Sequence, residues 1–150
     1  KPAYRAAMKR RRCLLPADGF YEWRRHPTRG REPHWIHLDD EGLFAFAGLY
    51  ERWEDPEGEA LETCTILTAE ATPALAEIHP RMPVLVDPED YTAWMDPAAE
   101  DPKALLERLP GRLCERLRAR PVARRVNSPR NEGPACLERA EPSQLRVEDF

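Results

Sequence analysis

A chain of 150 residues, 41% hydrophobic and 33% charged, has the size of one domain or a large part of one. No apolar run approaches the ~18 residues that span a bilayer, and no signal-peptide pattern opens the sequence, so no membrane partner is expected. Four scattered cysteines (Cys13, Cys64, Cys114 and Cys136) without a C-x-x-C pair exclude a dense disulfide scaffold and point to reduced thiols in a cytosolic protein.

The net charge of −4 conceals a strong polarity. Residues 1–31 carry ten Lys/Arg against two acids, residues 32–111 four against nineteen, and residues 112–150 nine against six. Basic ends that converge in the fold make a positive face on an acidic body, a footprint for nucleic acid; solvated charge on unrelated faces is the alternative. Arg outnumbers Lys 20 to 3, which favours forked phosphate contacts.

In chain order, "KPAYRAAMKRRR" fits a helix with Tyr4, Ala7 and Met8 as its apolar stripe. "CLLPADGFYEWRR" follows as strand, turn and strand, and "HPTRGRE" as a polar loop. "PHWIHL" and "LFAFAGLYERW" read as aromatic-rich strands split by the turn "DDEG". "EDPEGEA" is a hairpin loop into the strand "LETCTILT", where Cys64, Ile66 and Thr68 share a face. A short helix has Thr72 as N-cap and Pro73 at its first position, and stops near Ile78 because Pro80 disfavours helical geometry at His79.

"MPVLV" reads as a buried strand, then "DPEDYTAWM" as a helix capped by Asp87 with Pro88 at its first position. "DPKALLERL" repeats the device with Asp101 and Pro102. After Gly111 the chain is basic through "RLRARPVARRV", and residues 139–150 form a loose tail. The architecture is α+β: about six strands in a curved, mainly antiparallel sheet with flanking helices.

Two stretches carry candidate chemistry. In "DGFYEW", period-two alternation puts Tyr21 and Trp23 on one strand face and Phe20 and Glu22 on the other. Glu22 is then either a solvated charge or a carboxylate set in an apolar wall. In "IHPRMP", Pro80 and Pro83 stiffen a polar corner that presents His79 and Arg81 between a helix and a buried strand. His34 and His37 in "HWIH" point to opposite faces of a strand and cannot share a metal, so neither metal nor cofactor is expected.

"RRCLLPADGFYEWRR", "FAFAGLYERW", "TCTILTAEAT", "IHPRMPVLV" and "VNSPRNEGPACLE", in that order, resemble the SOS-response-associated peptidase (SRAP) family over about Arg12 to Glu138. The resemblance implies a compact α+β domain on a barrel-like sheet that shields abasic sites in single-stranded DNA. In the family an N-terminal Cys, exposed by self-removal of the initiator Met, condenses through its α-amine with the ring-opened abasic sugar and closes to a thiazolidine. The family's catalytic Glu and His fall on Glu22 and His79, its DNA-contacting Trp and Arg on Trp23 and Arg81, and Thr68 and Asn131 are expected to support the site wall.

The family's Met-Cys start and N-A-R motif precede the segment resembling Lys1 to Arg12. Residues 1–138 are therefore expected to be the C-terminal major part of one such domain, a degenerate member being the alternative. Arg120 stands before Pro-Val where other members often have His. The implied protein is a monomer, cytoplasmic and nucleoid-associated when bound to DNA. Two other readings compete: a non-catalytic single-strand-binding module using Trp23 and arginines, and a Glu/His hydrolase unrelated to DNA.

Overall fold

The apolar stretch from Phe44 to Leu49 lies at the centre of the molecule. In the computed structural model, which describes residues 4–28, 30–98, 102–109 and 111–141, this run opens β4 (Phe44–Glu54). β4 pairs antiparallel with β1 (Arg12–Ala17) along one edge. Along the other it pairs with β5 (Ala60–Ile66) and β8 (Leu85–Val86). Both faces of this sheet are covered. Phe44 and Phe46 enter one core with Ile36, Leu75, Met82 and Leu85, whereas Ala47 and Leu49 enter another with Val84, Val86, Trp94 and Leu105. Two-sided burial explains why the strand reads as continuous apolar sequence with no polar alternation.

A second antiparallel sheet has the order β2–β3–β9, formed by Phe20–His26, Gly30–Leu38 and Leu117–Pro121. A third is the pair β6 (Thr68–Glu70) and β7 (Arg81–Pro83). The helices are α1 (Arg5–Arg10), α2 (Pro73–Ala76), α3 (Tyr91–Met95) and α4 (Pro102–Arg108). The fold is α+β and its strands pair antiparallel, divided among three hydrogen-bonded sheets.

Several local expectations need correction. "MPVLV" is two strands, because Val84 leaves the small sheet: its N–H donates to Leu67 O and its carbonyl accepts from Ala47 N. β9 was hidden by alternating arginines, whose charged side chains do not prevent backbone pairing with β3. Asp87 does not cap the helix that follows it. Its buried carboxylate reaches across the chain instead, accepting from Arg112 N at 2.9 Å and Leu113 N at 3.1 Å, and so caps a 3₁₀ turn at Arg112–Arg116. Gly111 permits that approach, since a Cβ there would lie 2.0 Å from Asp87 Oδ2. Thr72 does stand before α2 with Pro73 at the first position, but its hydroxyl makes no cap bond. Of the loose tail, Arg139 bridges Val122 and Ala140 N donates to Pro121 O, while residues 142–150 and the Asp101 cap lie outside the described residues.

Arg12 is a buried cation, 5% exposed. Its guanidinium donates to Met8 O (2.8 Å) and Lys9 O (3.1 Å) at the end of α1, and to Trp94 O and Asp96 O at the end of α3. Carbonyls at helix C-termini lack partners within the helix, and one Arg fork satisfies both sets. It also lies over the Trp94 ring at 5.7 Å, where the indole quadrupole attracts a cation.

His34, on β3, is buried with Nδ1 3.1 Å from Glu32 O. Burial pushes its pKa below the ordinary 6.5, against the smaller opposing effect of the Glu32 carbonyl. The unfolded chain therefore takes up this proton more readily than the folded one. Stability contributed by neutral His34 is fully present above about pH 6.5 and is lost as pH falls from there toward the lowered folded value. Melting temperature is expected to fall between pH 7.5 and 5.5, and His34→Gln to flatten that slope. Identical slopes in the two proteins would rule this out.

Candidate functional site

Three apolar anchors set the geometry of the site. Phe20, at the start of β2, packs edge-on against Phe46 at 5.7 Å, which fixes the inward face of the strand. Leu75 in α2 and Met82 in β7 are both buried in the same core. Between them Ile78 N and His79 N donate to Leu75 O, and Pro80 O accepts from Ala71 N. With Ile78 and Met82 directed into the core, His79 and Arg81 are held at its surface. Strand alternation then brings Glu22, two residues beyond Phe20, to this corner.

Glu22 Oε1 stands 3.9 Å from His79 Nδ1, with side-chain exposures of 24% and 43%. That is ion-pair range, longer than a hydrogen bond. Nδ1 also meets Arg81 O at 2.7 Å and Arg81 N at 3.2 Å. One nitrogen cannot donate to the carbonyl and accept from the amide in the same tautomer. The shorter contact requires Nδ1–H, which leaves the lone pair on Nε2 and makes His79 a base through that atom. Directly across β3 from Glu22 stands the buried His34.

A cleft of about 510 Å³ opens here, lined by Glu22, Trp23, Arg25, Arg31, Glu77 and His79 together with the chain around Ile78. A larger groove of about 820 Å³ runs between α1, β5 and α4, with Tyr4, Met8, Leu49, Ile66 and Leu106 among its walls. It gathers no pair of acid and base, so the smaller cleft is the chemical candidate. Among the described residues no group of three His, Cys, Asp or Glu could hold a metal ion, and no helix is long and apolar enough to cross a membrane.

The other expected site residues divide. Trp23 is half-buried and its Nε1–H donates to Asn127 Oδ1 at 2.7 Å, which locks the indole plane at the cleft. Arg81 donates through Nη2 to the carbonyl and the hydroxyl of Thr68, and these contacts fix the direction of its guanidinium. Asn131 does not line the cleft. Its Nδ2 donates to Arg125 O at 2.7 Å and its N–H to Ser128 O, fastening the loop that carries Asn127. Arg25, Arg31 and Asn127 were not singled out from sequence. Alternation places Arg25 on the Trp23 face, but its partner across the strand depends on register.

No cysteine belongs to this site. All four are free, and burial, with Asp87 adding to it, pushes the Cys114 thiol up to about 12. Cys13 is raised by burial and, to a smaller extent, by Cys64. The raised thiols of Cys13 and Cys114 are poor nucleophiles.

The fold and cleft define a class: a small α+β protein with a carboxylate and an imidazole at ion-pair distance, between an anchored indole and several arginines. Comparison with known proteins makes it specific. Residues 1–129 match the SOS response associated peptidase (SRAP) family. The chain is 41% identical over 138 residues to abasic site processing protein YoqW of Bacillus subtilis, across 92% of this chain and 62% of that protein. It is 30% identical to abasic site processing protein HMCES of Rattus norvegicus, across 91% of this chain and 46% of that one. A crystal structure of a Bacteroides thetaiotaomicron protein aligns with TM-score 0.79 at 29% identity, over 94% of this chain and 62% of the other. The chain spans less than two thirds of the length of each of these proteins. It belongs to the SRAP family.

Proposed function

We propose that this chain carries the Glu–His cleft of an abasic-site processing protein acting on single-stranded DNA. The observation that carries the reading is the Glu22–His79 pair at 3.9 Å in an open cleft of an SRAP chain. The reaction is condensation of an N-terminal Cys α-amine with the aldehyde of the ring-opened abasic sugar. Imine formation releases one water; the thiol sulfur then adds to the imine carbon and a proton passes to nitrogen, giving the thiazolidine. Internal cysteines cannot substitute, because amine and thiol must belong to one residue.

The chain's own residues supply proton transfer and placement. Glu22 delivers and recovers protons as the carbinolamine loses water and as the ring closes or reopens. His79, through Nε2, removes the sugar proton that drives ring opening or strand cleavage. Trp23 offers a face for a neighbouring base, and Arg81 a charge for the backbone. The same pair serves self-removal of the initiator Met, and the protein acts as a nucleoid-associated monomer in the cytoplasm.

The test uses protein that includes the N-terminal Cys, incubated with an abasic single-stranded oligonucleotide and resolved on a denaturing gel. A covalent band that disappears when the Cys is replaced by Ala is the expected result. Non-covalent retention of the strand with no band would leave the single-strand-binding module in its place.

A further inference from the structure

The β2–β3 hairpin ends with two arginines set directly against each other. Its register sets Arg25 directly opposite Arg31, while the adjacent Arg24 stands opposite Glu32. Arg24 is paired: its Nη2 donates to Glu32 Oε2 at 2.8 Å. Arg25 and Arg31 are exposed, line the cleft with Glu22, Trp23 and His79, and make no ion pair or side-chain hydrogen bond among the described residues. Glu77 lines the same cleft and makes no bridge to either. Like charges directly opposed on antiparallel strands have Cβ atoms roughly 4.5–5.5 Å apart and repel. A bound anion between them removes the repulsion.

We propose that Arg25 and Arg31 form a two-armed anion subsite that straddles one phosphodiester of the single strand, next to the unit held at Glu22 and His79. The inference rests on the cleft being the DNA site and adds the residues that set the strand's register in it. Two observations favour a phosphodiester over a free anion. Trp23 and Arg25 share one strand face, so a base platform and a phosphate fork lie two residues apart along one track. The Trp23 ring is already fixed, by its hydrogen bond to Asn127 and by Tyr21 at 6.4 Å. Two planar forks meeting at one site suit the tetrahedral oxygens of a single phosphate. Arg25 and Arg31 are thus positioning residues, acting on the strand and not on the reacting carbon.

The experiment measures binding of a fluorescent, undamaged single-stranded oligonucleotide across a salt series. The proteins compared are the parent, Arg25→Gln, Arg31→Gln, the double variant and Arg25→Lys. Each Gln substitution is expected to weaken binding about tenfold at low salt, the effect of a lost charge-assisted contact. Both arms serve one phosphate, so the double variant should flatten the log K against log salt slope by about 0.7, not twice that. Arg25→Lys keeps the slope and loses part of the affinity, because charge survives and the fork does not. Melting temperatures of the Gln variants should equal or exceed that of the parent, since a repulsion is removed.

Parent-like affinity in the double variant, or a loss of affinity accompanied by a lower melting temperature, would overturn the subsite. The abasic reading is tested apart. With abasic strand and the N-terminal Cys present, the double variant should need about ten- to a hundredfold more DNA for half-maximal crosslinking and reach the parent's maximal rate. A parent protein that binds undamaged strand through this pair but forms no covalent band would refute abasic chemistry and leave the subsite standing.

Discussion

Replacing Glu22 by Gln is expected to slow formation and reversal of the covalent adduct by about 10²–10⁴-fold, with DNA affinity close to that of the parent. Gln keeps the shape of the side chain and can still hydrogen-bond, but it cannot exchange a proton. The 3.9 Å separation from His79 makes the carboxylate a neighbour of the imidazole, not its anchor, because Nδ1 is already held by the Arg81 backbone. Removing the charge therefore leaves the His79 ring in place. His79→Ala should act differently: strand cleavage at the abasic site falls most and crosslink yield less, as a base for the sugar proton requires. Single-turnover crosslinking on a denaturing gel measures the first effect, and release of the cleaved strand the second. If Glu22→Gln lowers the melting temperature and leaves the single-turnover rate unchanged, Glu22 is scaffolding.

The second large effect is structural. Arg12→Ala should destabilise the fold by about 3 kcal/mol or more, lowering the melting temperature by roughly 6–12 °C for a chain of this size. The substitution leaves four carbonyls, from Met8, Lys9, Trp94 and Asp96, without their shared donor, and opens a cavity beside the Trp94 ring. It also unties β1 from α1 and α3. Arg12→Lys should recover only part of the loss, since an ammonium has three donors and no planar fork to reach carbonyls at two helix ends. Thermal denaturation monitored by circular dichroism decides the matter. A melting temperature within about 2 °C of the parent for Arg12→Ala would mean that water replaces the guanidinium at no cost.

Much of the site was legible because its chemistry is carried by local pattern. The Phe20/Glu22 and Tyr21/Trp23 split follows from the two-residue repeat of any strand, and β2 shows it, with Phe20 packed against the core and Tyr21 against Trp23 and Trp35. The stiff corner at His79–Pro80–Arg81 follows from proline stereochemistry. Asn131 was expected in the site wall, and Asn127 lies in the same stretch, where no periodicity distinguishes the two. Only the docking of that loop on Trp23 chose Asn127 and left Asn131 to hold Arg125. Asp87 reads as a helix cap by sequence spacing, yet a pair of backbone donors from Arg112 and Leu113 claimed it.

The sequence by itself determined the α+β class, the strand that contains Phe44–Leu49, the face on which Glu22 lies and the corner that holds His79. These depend on backbone geometry and on apolar patterning over a few residues, which operate whatever the rest of the chain does. The tertiary structure alone decided that Glu22 and His79 meet, that Arg25 faces Arg31, and that Arg12 joins two helix ends. Such meetings are set by where distant apolar anchors pack (Phe20 on Phe46, with Leu75 and Met82 in the same core), and polar side chains are carried to their partners by that packing. Burial is non-directional and dominates the free energy of folding, so it chooses the arrangement; the polar contacts of the candidate site are its consequence.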